Sequence, residues 1–145
     1  MGCNEGSNLR EIYKKKKYNL YGLDINARAM EYGKKLNGEM NYIVGSIYDL
    51  SKLADFDIVF TMGVLMHIPP EGLETIRDEI LKLNPKFIVH CENHSKNPQP
   101  TAIYQGKPVQ FSHDYGKLYK GYKITITDKV RCPGGGANHL ITIDL

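Results

Sequence analysis

Apolar and polar positions change period several times along the chain, and each change marks an element. From 7 to 16 the apolar residues Leu9, Ile12 and Tyr13 share one helical face, with Ser7 placed to cap. YNLYGLDIN (18–26) reads as a strand ending at Asp24, and NARAMEYGKKL (26–36) returns to helical spacing through Ala29, Met30, Gly33 and Leu36. MNYIVGS (40–46) is a second strand, followed by a short helical turn around YDLSKL.

FDIVFTMGVLMHI (56–68) begins with the near-continuous apolar run of a strand buried on both faces. Pro69-Pro70 then punctuates. PEGLETIRDEILKL (70–83) is the clearest helix, with proline in its first turn and a stripe of Leu73, Ile76, Ile80 and Leu81 or Leu83. KFIVHCE (86–92) is another buried strand. From 93 to about 110 the chain turns polar and proline-containing, which reads as a long connection of the kind that often carries function. YKITITDKV (122–130) alternates like a half-buried strand, RCPGGGAN is a flexible loop, and HLITIDL (139–145) is a final strand.

Strands alternating with helices imply right-handed crossovers and a parallel sheet, and two successive strands at the end imply an antiparallel pair. The expected fold is therefore α/β: a Rossmann-like, mostly parallel sheet with helices on both faces and a C-terminal antiparallel strand pair, in a single domain over 1–145. Composition agrees, at 41% apolar and 24% charged residues. There is no apolar run of about 18 residues and no signal-peptide pattern, so neither a membrane nor export is expected. A net charge of +3 is too small to argue for nucleic acid. Lys14–Lys17 reads as a solvated helix end with cations at its negative pole, or as a phosphate-contacting patch. Cys3, Cys91 and Cys132 are odd in number and widely spaced, which argues against disulfides and a metal site and suits a reducing cytoplasm.

Ligands of open α/β sheets sit beyond the carboxyl ends of the strands. Three segments converge there. Gly2-Cys3-Asn4-Glu5-Gly6 is a turn that lets backbone approach a ligand, Asp24 can accept two hydrogen bonds from a ribose diol, and Ser46-Ile47 offers a small polar group and an apolar wall. The turn lacks the third glycine of dinucleotide enzymes. Together with Asp24 and FDIVFTMGVLMHIPPEGL it resembles class I S-adenosylmethionine-dependent methyltransferases, with Asn4 standing where a glycine is usual. More narrowly, the turn running into Asn8-Leu9, the Gly45-Ser46 strand end and the GVLMHIPP stretch are similar to methylases associated with pseudaminic acid biosynthesis.

That resemblance implies S-adenosyl-L-methionine as cofactor and a small-molecule acceptor, such as a sugar or sugar-linked metabolite. It implies Gly2, Cys3 and Gly6 against the methionine part, Asp24 on the ribose with Ile25 beside the adenine, Ser46 and Ile47 bordering the adenine, and Met62 and Gly63 under the methionine end. Asp24 as a cap for the following helix, and Ser46-Ile47 as strand-end packing, remain open alternatives. An acceptor bearing a proton needs a base. The candidate bases are His67, His90, Glu92, His94 and His113, of which His67 and Glu92 are taken as catalytic, and Asn93, His94, Tyr104 and His113 as substrate-binding; His67 packed beneath the following helix is the competing reading.

The methyltransferase fold has a central strand before its glycine turn, where this sequence has only Met1. Either that strand is missing, leaving an edge that a homodimer would cover, or residues 139–145 fill it as a parallel strand; the hairpin placement of 139–145 is favoured. A non-catalytic nucleotide-binding scaffold and a nicotinamide-dependent oxidoreductase are the competing functions.

Overall fold

The computed structural model describes residues 1–50, 52–131 and 137–145; Cys132 and most of the expected glycine-rich loop lie outside the described residues. The chain divides into two compact units, Met1–Leu50 and Ser51–Leu145.

In the first unit, helix α1 (Ser7–Lys15), strand β1 (Tyr21–Asp24), helix α2 (Ala27–Leu36) and strand β2 (Asn41–Val44) follow one another. β1 and β2 pair in parallel, Gly22 opposite Tyr42, and α2 is the crossover such a pair requires. Leu9, Met30, Met40 and Tyr42 form the core, with Cys3, Tyr13 and Leu20 packed against it. Helix and strand approach closely at Gly33, where a Cβ would stand 2.7 Å from the Tyr42 ring and 2.8 Å from the Glu5 carbonyl. The helical spacing through Gly33 therefore reflects a packing contact.

Two local expectations fail here. Ser7 does not cap α1; Gly6 holds the cap position, and the Ser7 hydroxyl donates to Glu5 Oε1 at 2.6 Å. A capping side chain needs extended backbone to turn back on the helix, and residue 7 is already helical. Of the helical turn expected around residues 48–53, Ser51 lies outside the described residues, and residues 47–50 are not helical. Tyr48 N–H donates to Ser46 Oγ (3.2 Å) and Asp49 N–H to Ser46 O (3.2 Å), so the serine closes a tight turn instead.

In the second unit, β3 (Ile58–Met62) and β4 (Phe87–Glu92) pair in parallel, joined through helix α3 (Leu73–Leu81). β7 (Lys123–Arg131) and β8 (Ala137–Asp144) form an antiparallel pair, and β8 lies between β4 and β7, antiparallel to both. The tail is thus the last hairpin of this sheet, and the alternative that residues 139–145 serve as a parallel strand ahead of the glycine turn is incorrect. Ile88 sits opposite Ile143, which sits opposite Ile124, so the pairing aligns apolar positions across the sheet. Leu73, Ile76, Ile80 and Leu83 are buried as the helical stripe required.

The polar connection after β4 is not a loop throughout. It contains a hairpin, β5 (Pro100–Tyr104) and β6 (Lys107–Phe111), turned by Gln105 and Gly106 with φ of 49° and 74°. Pro100 and Pro108 hid these strands from a reading that expects prolines outside sheets; a two-stranded ribbon has only edges, where proline is tolerated. A short helix α4 (Tyr115–Leu118) follows, capped by Asp114, whose side chain accepts from Lys117 N–H. No described helix is long and apolar enough to cross a membrane.

Candidate functional site

The glycine turn is fixed to β1 by its backbone. Leu20 O and Asp24 O accept from Asn41 N–H and Gly45 N–H of the β2 side, both at 3.0 Å. Carbonyls alternate along a strand, so Leu23 O faces the other edge, where it accepts from Cys3 N–H at 3.1 Å. Gly6 N–H then closes the turn on Cys3 O at 2.8 Å. Gly2, Asn4 and Gly6 are all left-handed, with φ of 63°, 50° and 80°. Asn4 departs from the glycine pattern, yet asparagine is among the side chains that tolerate this region best.

Asp24 organises the site. Its Oδ2 accepts from Asn4 N–H at 2.8 Å and its Oδ1 from Asn26 N–H at 2.9 Å. Each oxygen keeps a further lone pair, and the two are held at the carboxyl end of β1. The cap of α2 is Asn26, which accepts from Ala29 N–H at 3.2 Å, so Asp24 is not needed for that task. Ile25 beside it is 77% exposed, an apolar surface with nothing packed over most of it. Ser46 and Ile47 follow the end of β2, which Gly45 N–H ties to Asp24 O. Gly2, Cys3, Gly6, Asp24, Ile25, Ser46 and Ile47 therefore lie at one end of the first unit. Burial pushes the Cys3 thiol above its ordinary pKa, leaving it a protonated packing group.

In the second unit the chain leaves β3 at Met62 through Gly63, whose φ is 64° and whose N–H donates to Cys91 O at 3.1 Å. A short 3-10 turn, Leu65–His67, follows. Glu92, fully buried at the end of β4, holds this turn: its carboxylate accepts from Val64 N–H (2.9 and 3.1 Å) and Met66 N–H (3.3 Å). Burial pushes the Glu92 pKa up, against the pull of these amides. His113 clamps the same turn from another side, its Nε2–H donating to Leu65 O at 2.9 Å. Its ring is buried, which holds its pKa down.

His67 is exposed, with Nδ1 3.2 Å from Val109 O on β6. A carbonyl can only accept, so Nδ1 carries a proton, and in the neutral ring the lone pair lies on Nε2. His94 is half-buried and donates from Nδ1 to His113 O at 3.1 Å, while Asn93 O accepts from His113 N–H at 3.1 Å. Glu92, Asn93, His94, His113 and the His67 turn are thus joined by direct hydrogen bonds. Tyr104 stands apart, 66% exposed beside the turn of the hairpin. Thr61, Tyr115 and Tyr119 are buried and carry no signal in the sequence, whereas His90, a candidate base, is fully buried with Nδ1 2.7 Å from Thr61 Oγ1 and Nε2 2.9 Å from the Tyr119 hydroxyl. Each of the first three reads as an ordinary strand or helix residue. No group of three or more His, Cys, Asp or Glu able to hold a metal occurs among the described residues.

The sequence profile described as a methyltransferase domain matches residues 1–85. The chain belongs to this family. No curated protein matches this chain by sequence. Solved structures resemble it in fold. Magnesium protoporphyrin IX methyltransferase from Synechocystis, crystallised with bound SAM, is 16% identical with a TM-score of 0.72, covering 99% of this chain and 67% of that one. The 1,6-didemethyltoxoflavin-N1-methyltransferase of Burkholderia thailandensis, with 1,6-didemethyltoxoflavin and S-adenosylhomocysteine bound, is 16% identical with a TM-score of 0.71, covering 99% and 68%. A SAM-dependent methyltransferase from Archaeoglobus fulgidus is 18% identical with a TM-score of 0.69, covering 99% and 83%.

Proposed function

We propose that this methyltransferase domain binds S-adenosyl-L-methionine at the Gly2–Gly6 turn and transfers its methyl group to a small-molecule acceptor. The observation that carries the reading is Asp24. Its carboxylate is aimed by two backbone N–H groups, from Asn4 and Asn26, and retains the lone pairs that a ribose diol requires. The exposed Ile25 side chain supplies an apolar plate for the adenine, and Ser46 and Ile47 border it. The left-handed Gly2 and Gly6 leave backbone without side chains where the methionine part would lie.

The bound cofactor supplies an electrophilic methyl group on a sulfonium that is its own leaving group. The protein's part is to position the acceptor and to remove a proton where the acceptor carries one. His67 suits the second task, because the Val109 carbonyl fixes its tautomer and leaves Nε2 as the acceptor of that proton. Asn93 and His94 are the polar groups proposed to orient the acceptor, with Tyr104 on the hairpin a further contact. His113 has its Nε2 committed to Leu65 O, so its proposed role is to support the turn. A hydroxylated sugar or sugar-linked metabolite is the acceptor class we favour, on the likeness of Gly2–Leu9, Gly45-Ser46 and Gly63–Pro70 to the pseudaminic acid-associated methylases.

Calorimetric titration with S-adenosylmethionine and S-adenosylhomocysteine tests the reading. Saturable binding is expected, weakened by about thirtyfold or more in Asp24→Ala through loss of two charge-assisted hydrogen bonds. A folded wild-type chain that binds neither ligand, or that binds NADH instead, would overturn it.

A further inference from the structure

The Lys14–Lys17 run has no part in methyl transfer, and the fold of the first unit sets further lysines beside it. α1 and α2 contribute Leu9 and Met30 to one core, so both pack on the same face of the β1–β2 pair. α1 ends at Lys15 shortly before Tyr21 opens β1, and α2 ends at Leu36 shortly before Asn41 opens β2. Tyr21 and Asn41 are register partners, so the two helices end at one edge of the pair. Lys34 and Lys35, in the last turn of α2, therefore lie at the same edge as Lys14–Lys17.

All six lysines are exposed. Lys14 reaches Glu11 at 2.7 Å and Lys35 reaches Glu31 at 2.9 Å, pairs that stand in solvent, where such a bridge is weak. Among the described residues, Lys15, Lys16, Lys17 and Lys34 meet no carboxylate. With Glu39 counted, six lysines face three glutamates, an excess equal to the +3 of the whole chain. The net charge is thus concentrated at this edge, which the whole-chain figure hides. Aromatic rings stand among the lysines. Tyr18 is 52% exposed with Lys16 Nζ 4.9 Å from its ring centroid, and Tyr32, one helical turn before Lys35, is 57% exposed. Cations favour the negative pole of a helix, which accounts for the lysines in the last turns. It does not account for Lys17 beyond α1 or for the exposed rings.

We propose that this edge binds single-stranded nucleic acid, with the lysines on successive phosphates and Tyr18 stacked on a base. Ammonium groups on flexible stems can follow a backbone whose charges recur along its length, and an exposed ring offers its face to any base. An anionic membrane would attract the same charge, but it holds a helix by an apolar face laid into the lipid. The apolar faces of α1 and α2 are spent on the core through Leu9 and Met30, and Leu36 is the one exposed aliphatic side chain among the described residues of this edge. The surface lies at the opposite end of β1 from Asp24, so it is a docking site separate from the proposed cofactor site.

Fluorescence anisotropy of labelled oligouridylate and oligothymidylate of about 20 nucleotides, titrated with the full chain, tests this. Saturable binding is expected at about 50 mM salt, and about fiftyfold weaker binding at about 200 mM, the dependence of four phosphate contacts on a single strand. Lys15→Gln, Lys16→Gln, Lys17→Gln and Lys34→Gln combined should weaken binding about tenfold or more at the lower salt and flatten that dependence. Tyr18→Ala should weaken binding about fivefold through lost stacking and leave the salt dependence unchanged. Melting curves confirm that both variants fold, as expected for exposed side chains. Absence of wild-type binding up to about 0.1 mM protein at the lower salt would overturn the proposal by itself. So would wild-type affinity in the folded lysine variant or in Tyr18→Ala, or retention on phosphatidylserine vesicles without binding to either oligonucleotide. None of these readings involves S-adenosylmethionine, so failure here is separate from failure of the proposed function.

Discussion

The two turns of this methyltransferase domain are built in opposite ways. Gly2–Gly6 is held by what lies close to it: left-handed backbone at Gly2, Asn4 and Gly6, one backbone bond to Leu23, and the Asp24 carboxylate. Gly63–His67 is held by distant side chains. Glu92 takes its amides, His113 takes the Leu65 carbonyl, and the Val109 carbonyl takes His67. The first arrangement leaves its donors and acceptors with capacity for a ligand. In the second, Glu92 and His113 are buried and committed to the turn, whereas His67 is exposed. A turn made from small residues and backbone keeps open space beside it, whereas a turn braced from several sides fixes the direction of one side chain.

The largest effect expected from this contrast is acid sensitivity of the second turn. His90 has a folded pKa of about 3, below its ordinary value of 6.5, so the unfolded chain takes up its proton first as pH falls. Its contribution is complete above 6.5 and is lost as pH falls toward 3, on the order of 5 kcal/mol in all. The raised Glu92 pKa works in the opposite direction, since the folded carboxyl holds its proton more tightly than the unfolded one, and it offsets part of that loss. Urea unfolding across this range should show a slope that His90→Gln flattens; an equal slope in both proteins would mean that His90 charges without unfolding.

Glu92→Leu should cost about 3 kcal/mol at neutral pH, because the Val64 and Met66 amides lose their acceptor. Unfolding by denaturant measures it, and a change within about 0.5 kcal/mol would show that the turn does not depend on the carboxylate. Gly6→Ala should cost about 2 kcal/mol, from a left-handed backbone and from a methyl group 2.6 Å from the Tyr42 hydroxyl. Asn4→Ala should cost about 1 kcal/mol while Asn4→Gly leaves stability unchanged, since only the backbone conformation of residue 4 is at stake. Equal stability of the two Asn4 variants would show that the turn relaxes out of the left-handed region.

The same contrast separates what the sequence carried from what it did not. Gly2, Gly6 and Asp24 were legible because their task is local: glycine supplies a backbone conformation, and a carboxylate at a strand end accepts N–H groups from nearby chain. The apolar stripe of α3 and the buried run of β3 were legible for the same reason, as their periods follow from backbone geometry. The hairpin of residues 100–111 was not, because Pro100 and Pro108 signal a loop unless it is known that the ribbon has no interior strand.

The sequence by itself determined the order of strands and helices outside the 100–111 hairpin, the glycine turn ahead of α1 and the family to which the chain belongs. Tertiary structure alone decided that β8 enters the sheet antiparallel between β4 and β7, that Asn26 rather than Asp24 caps α2, and that Glu92 and His113 spend their polar atoms on the turn before His67. Those decisions belong to pairings between residues far apart in the chain. A side chain that accepts a hydrogen bond from a partner 28 residues away carries no mark of it in its own neighbourhood. The identity of glutamate sets what it can accept, and the fold sets from whom.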